Sequence, residues 1–492
     1  MRKKITLLFI ILISIYGFGQ SNSNVQYIRK NANTPEAKAD LEAMNVAFKK
    51  MREMGCEKGL SWYYQGAIHN IPNTINGKNN LCPEYQTSKD KLWAWSDCTH
   101  DKTVSAKLHF LLWHRLYIWH LEKIVRELSG KKDFALPYWN YGSTTTADNV
   151  MAEPIRDKSG SLYIASRYGI LNNGQPILPG QVNEIQRALN ELKTNPSFTG
   201  AAGFSQNLEQ APHGFMHDLI GGEYAKPAET YYNEIYQLQN YSGLMANVPS
   251  AGFDPVFWLH HSMIDRIWES WDVSINGQRP TLQQLQTNPW PYEFITPTGQ
   301  RVSYTMKEVY DIVFNMDYKY DNLLYGSKAP VLTAKGPKES AKKLVSFQDS
   351  KEKIIWEQKI GKPIEGTGFT HKVASNFAQN TNKAFKTAVN SRIVLNLDVV
   401  VYKEPKDYYT VYLRYPGKED EYVGTMTFFG VSHEHGTGEN HELAETGVKL
   451  NFSYYISDDL SKSDVNFEIV IKKTGEGDAK VTLEKITVAQ IN

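Results

Sequence analysis

A mainly helical first part followed by a C-terminal antiparallel β-sandwich or barrel is the fold class that the sequence predicts, an α + β multidomain chain. Three observations carry this. Apolar residues recur at helical spacing from the N-terminal part as far as position 280. Six β-rich runs follow one another at regular spacing after residue 386. Between them, residues 331–385 are rich in Lys, Gly, Ser, Thr and Asn. At 492 residues the chain is long enough for two or three domains.

The N-terminus reads as a secretory signal over residues 1–19. "MRKK" is cationic, "ITLLFIILISIYGF" is an apolar stretch, and "GFGQ" supplies small residues for a cut near Gly19/Gln20. No later segment approaches a membrane-spanning run, so the expectation is a soluble, secreted or periplasmic protein with no membrane partner. The net charge of +1 is evenly mixed, with no basic stripe to bind nucleic acid. In an oxidising compartment, three cysteines leave one over. Cys56 and Cys82 flank a loop, which suits a disulfide, and Cys98 is the remainder.

The helices can be justified in order. Residues 35–55 carry apolar positions at helical spacing behind a Thr-Pro start. "HFLLWHRLYIWHLEKIVRELSG" is a second helix, ended at Ser129-Gly130. "PHGFMHDLIGG" is a third and short one, and "DPVFWLHHSMIDRIWESWD" a fourth. Residues 281–330 mix a hairpin-like segment with a helix. Residues 331–385 are expected to be a linker and 386–492 a β domain.

Of thirteen histidines, nine fall before position 280, on or beside these helices. His213 and His217, at i and i+4, project from one helix face about a turn apart, as a single ion requires of two imidazoles. Phe215, Met216, Leu219 and Ile220 make that setting apolar, and a buried imidazole needs a partner. His114 sits among apolar and aromatic neighbours, and "DPVFWLHHSMIDRIW" adds a His pair to another aromatic helix. Three apolar helices that each deliver buried histidines imply imidazole-only metal binding, which favours copper or zinc.

"FLLWHRLY...E" and "DPVFWLHH...D" resemble the two signature motifs of the type-3 copper proteins: tyrosinases, catechol oxidases and haemocyanins. The resemblance implies a four-helix core over residues 20–280 that holds two copper ions by three histidines each. The second copper would take His213, His217 and His261, with His260, the first of the pair, a non-ligand. The first would take His69, His114 and one more. The family has a histidine a few residues before Phe110, where this chain has Val104 and Ser105. His109 lies about 140° around the helix from His114, away from the metal face. His100 follows Cys98 in "CTH", which is similar to the family's Cys-x-His thioether bridge, so His100 is the preferred third ligand, with a short insertion behind it.

The likeness extends to plant polyphenol oxidases. "LEQAPHGFMHDLIGG" is similar to their second-copper helix, which makes Glu209 the residue expected to hold a water and assist substrate deprotonation. The segment through Tyr318 and Tyr320, and the β domain after it, look like theirs. In that family the last domain caps the active-site entrance until it is removed, and 331–385 would suit an activating protease. Arg115, Glu122, Asp254, Asp265 and Arg266 are expected as supporting ion-pair residues. In the family an Asn directly after the first histidine of the second copper often accompanies monophenol hydroxylation. Here it is Gly214, which tilts the expectation towards o-diphenols, with Asp218 an acceptor that could substitute. The implied reaction takes a phenolic small molecule and O2 to an o-quinone. A haemocyanin-like O2 carrier with the same ligands is the alternative. A zinc hydrolase needs a carboxylate base and an open three-ligand site, which six histidines on paired helices do not suit.

Overall fold

The structure is a computed structural model and describes residues 27–70, 81–82, 98, 104–195, 197–200, 202–274, 279–325, 352–373, 392–403, 405–431, 447–456, 467–475, 477 and 480–491. The expected signal segment, His100, and His433, His435 and His441 lie outside the described residues.

Thr34-Pro35 opens a 3-10 turn that leads into α1 (Lys38–Arg52). Ser61 caps α2 (Trp62–His69) by accepting from the Tyr64 amide. α3 (Val104–Ser129) runs through the core and ends at Gly130, whose φ of +79° is the left-handed turn that glycine adopts without penalty. The short α4 (Glu153–Arg156) and α5 (Gly169–Asn172) precede α6 (Pro179–Thr194) and α7 (Phe204–Leu208). A π-helical turn, Glu209–Gly214, then feeds α8 (Phe215–Ile220). After α9 (Val248–Ala251), α10 (Pro255–Asp272) begins with Asp254 as its cap and Pro255 in the first turn. It is buried on nearly every face, as a helix crossing a core must be. α11 (Leu282–Thr287) and α12 (Met306–Val313) both carry capping boxes.

Two charged clusters lock this helical part. β1 (Tyr27–Arg29) pairs in parallel with β6 (Tyr318–Tyr320). That brings the buried Arg29 to Glu122 (2.7 Å) and Asp265 (3.1 Å), with its guanidinium over the Tyr318 ring. Asp265 also accepts from Arg115 and both tyrosine hydroxyls. The second cluster pairs Arg167 with Asp254 (2.6 Å), both fully buried. β2 (Tyr231–Asn233) with β3 (Leu238–Tyr241), and β4 (Glu293–Ile295) with β5 (Arg301–Ser303), form small hairpins.

The C-terminal part has eight strands among the described residues: β7 (Glu352–Pro363), β8 (Gly368–Lys372), β9 (Arg392–Val401), β10 (Tyr408–Arg414), β11 (Glu421–Met426), β12 (Val448–Ile456), β13 (Glu468–Thr474) and β14 (Val481–Ile491). They form two antiparallel sheets, ordered β11-β10-β13-β8 and β12-β9-β14-β7. Both sheets contribute to one apolar core that includes Leu395, Leu397, Val411, Leu413, Ile469 and Val488. Among the described residues the sheets stay open, so the barrel alternative does not hold. The expected linker, 331–385, also needs correction. Its residues 352–363 and 368–372 are β7 and β8, which pair with β14 and β13. No described helix is long and apolar enough to cross a membrane.

Candidate metal centre

Four elements bring imidazoles to one place. His69 is the last residue of α2, His114 lies midway along α3, His213 and His217 straddle the π-turn and α8, and His260 and His261 sit in α10. All six are buried. Ala211 is extended inside the π-turn (φ −147°, ψ 129°), so the chain kinks just before His213. His213 and His217 then stand with ring centroids 4.5 Å apart.

Hydrogen bonding sets the tautomers. Nδ1 of His69 donates to Val248 O (2.9 Å), His114 to Phe110 O (2.8 Å), His213 to Glu209 O (3.0 Å) and His217 to Met245 O (2.8 Å). A carbonyl can only accept, so each neutral ring carries its proton on Nδ1 and presents a lone pair at Nε2. This is the arrangement in which imidazoles hold metals. Nε2 of His69 and Nε2 of His114 approach to 3.4 Å, and with lone pairs on both, the contact calls for a cation between them. His261 lies in the middle, stacked on His114 at 4.3 Å and 5.1 Å from His213. Neither of its ring nitrogens has a hydrogen-bond partner among the described residues. The ligand atoms of His213, His217, His260 and His261 all lie within 4.8 Å of one another. Burial, with neighbouring imidazoles, keeps His261 well below the usual histidine range, and burial holds His260 at about 3. His260 and His261 are therefore neutral at physiological pH, as ligation requires. This set fits a cation that prefers nitrogen.

His109 is not part of the cluster. Its Nδ1 meets the Tyr292 hydroxyl (2.7 Å) and its Nε2 faces Asn288 O (2.6 Å), so both nitrogens are engaged elsewhere. Cys98 is buried beside the site, its amide donating to His69 O (2.9 Å). A disulfide joins Cys56 and Cys82, with Cα atoms 5.8 Å apart. Asp218, expected as a possible substrate acceptor, commits an oxygen to the Tyr224 hydroxyl (2.7 Å). Glu122, Asp254 and Asp265 all belong to the two locking clusters, while Arg266 donates to Asn140 (2.9 Å) and Asn322. His120 is buried between Ile295 O and the Tyr304 hydroxyl, and His371 lies on β8 beside Gln358.

One residue in contact with the imidazoles was missed from the sequence. Phe429 comes from the loop after β11, and its ring stacks on His217 at 4.1 Å and meets His213 edge-on at 5.7 Å. Thr427 in the same loop donates to Gln210 O (2.9 Å). Gly214 makes this approach possible, since a Cβ there would lie 2.8 Å from Thr427 Oγ1 and 3.3 Å from Phe429 Cβ. A cavity of ≈ 230 Å³ flanks the contact, lined in part by Lys107, Glu209, Gln210 and Phe429. A larger one, ≈ 650 Å³, lies along β7, β9, β12 and β14 and contains no histidine. The signal for Phe429 was available in "TFFG". Phe428 enters the sandwich core, while its neighbour Phe429 packs against the helical core, so the two adjacent rings of this loop serve different parts.

Residues 59–177 and 163–274 match the family model for the common central domain of tyrosinase. Tyrosinase HcTyr1 of Hahella sp. (strain CCB-MM4) is 28% identical over 305 residues, which cover 57% of this chain and 61% of that protein. Polyphenol oxidase B, chloroplastic, of Solanum lycopersicum is 25% identical over 427 residues, 78% of this chain and 66% of that protein. The alignments thus span somewhat under two thirds of these relatives' length. The solved structure of latent apple tyrosinase superposes with a TM-score of 0.60 at 18% identity, covering 95% of this chain and 97% of that one, a likeness of fold. Fold and imidazole cluster together define a type-3 copper protein. Within that class, residues 59–274 carry the common central domain of tyrosinase, a domain that implies a binuclear copper centre.

Proposed function

We propose that the chain is an exported dicopper phenol oxidase, latent while its C-terminal domain is attached. The observation that carries this reading is the convergence of five buried imidazoles, four of them with the Nδ1 proton fixed by a carbonyl. On this reading α2, α3, the π-turn with α8, and α10 act as the four-helix core. His69, His100 and His114 hold one copper, with Cys98 linked to His100 by a thioether, and His213, His217 and His261 hold the other. Bound copper supplies the electron transfer from substrate to O2, so that two o-diphenols and one O2 give two o-quinones and two waters. The chain's own residues do the rest. Phe257, 4.2 Å from His261 and 4.9 Å from His69, forms a dry wall against the imidazoles. Glu209, at the lip of the cavity, receives the phenolic proton through a held water, a role that falls to it because Asp218 is engaged by Tyr224. Phe429 occupies the face over His213 and His217 where an aromatic substrate would lie, which supports latency until a protease acts. Gly214 places no side-chain amide beside His213, so o-diphenols are the favoured substrates.

The test is oxygen uptake by the copper-loaded protein with catechol and then with tyrosine, before and after limited proteolysis, with copper counted in each sample. Uptake of O2 with catechol that rises on cleavage supports the reading, and prompt uptake with tyrosine would overturn the diphenol preference. Two coppers bound without turnover in either state would favour reversible O2 carriage.

A further inference from the structure

Among the imidazoles, His260 is the one whose second nitrogen faces a group able to act both ways. Its Nδ1 lies 2.9 Å from the hydroxyl of Tyr141, a fully buried residue. A hydroxyl either donates or accepts, so His260 can present at Nε2 either a proton or a lone pair. That Nε2 is buried and has no hydrogen-bond partner among the described residues. The ring stands 4.8 Å from His217 and 5.3 Å from His213. By contrast, His261 has neither ring nitrogen anchored and stacks against His114, on the side of the first copper position.

Resting on the dicopper reading above, we propose that His260 is a fourth imidazole donor at the second position, where it holds a lone ion together with His213 and His217 in place of His261. An anchored ring needs less ordering to bind than an unanchored one. A first ion would therefore be held by His213, His217 and His260. His261 would take over when both positions fill, which leaves His260 held by Tyr141 alone, with its Nε2 no longer on the ion. The ion class is one that accepts three imidazoles, such as Cu(I), Zn2+ or Co2+.

The experiment titrates the metal-stripped full-length chain with Co2+, following the visible absorption of the bound ion and the metal-to-protein ratio. The variants are His260→Asn, which can still bond Tyr141 but has no donor at the Nε2 position, His261→Ala, the double variant, and Tyr141→Phe. Binding of the first equivalent should weaken at least tenfold in H260N, stay within a few-fold of the parent in H261A, and fall in the double variant to what the His69 and His114 position alone retains. Y141F, which frees the His260 ring without altering its donors, should weaken it less than H260N does. First-equivalent binding unchanged in H260N, whether or not it is lost in H261A, would overturn the proposal and leave the dicopper reading standing. A parent protein that takes up no ion at all would overturn both.

Discussion

Gly214 illustrates how much a single side chain decides at this centre. Because it has no Cβ, Thr427 can reach Gln210 O and Phe429 can lie flat on His217. Replacing Gly214 with Asn should push that loop off, so the intact chain should approach the oxygen uptake of the cleaved protein with catechol. Phe429→Ala should open the same face without touching an imidazole, and a chain as latent as the parent would show that the ring is not the block. At this scale much was legible. The histidines stood out because imidazoles at helical spacing in apolar surroundings have no inexpensive alternative, and Ile, Leu and aromatic neighbours marked them as buried. Phe429 did not stand out, since a Phe in a β-run reads as core until the partner surface is known. The choice between His100 and His109 turned on where His109 falls around the helix, and its two hydrogen bonds now argue against it independently.

Among elements, α10 depends most on a single residue. Asp254 accepts from the Val256 amide at the first turn and also neutralises Arg167. Asp254→Ala removes the cap and leaves a buried guanidinium without its counter-charge, a loss of about 3–5 kcal/mol. Chemical denaturation should register it, and a change below about 1 kcal/mol would mean that water replaces the carboxylate. Asp254 was legible as the residue before Pro255, but its partner, 87 residues earlier, was not. Strands β7 and β8 were missed for a related reason. Each is the outer strand of its sheet, and outer strands carry charge that keeps them from pairing further. "EKIIWEQKIGKP" buries Ile355 and Trp356 and shows Lys and Glu elsewhere, so its composition passes for a linker.

For the whole molecule, the seating of the sandwich on the helical part is the governing variable. Tyr408 of β10 packs on Phe215 and Tyr224, and Arg187 of α6 reaches the Tyr412 hydroxyl (3.3 Å) while paired to Glu184 (2.8 Å). Glu191, also on α6, is pushed up to about 7 by burial, with the charge of Glu421 on β11 adding to the effect. Its ordinary value is near 4.5. A carboxyl raised on docking favours the docked state fully below the ordinary value, and that advantage is lost as pH rises through the raised one. Latency should therefore weaken progressively from about pH 4.5 to about pH 7 and level off above it, read as the ratio of intact to cleaved activity, and Glu191→Gln should flatten that profile. A parent profile already flat would show that Glu191 does not report docking. The two apolar cores bear on what cleavage itself can do. Each part has its own, and the surfaces that join them are side-chain contacts that a severed backbone leaves in place. Nicking the chain would then only convert a tethered contact into an equilibrium between two separate molecules. Activation would follow mass action, so a nicked sample held concentrated should stay silent and awaken on dilution.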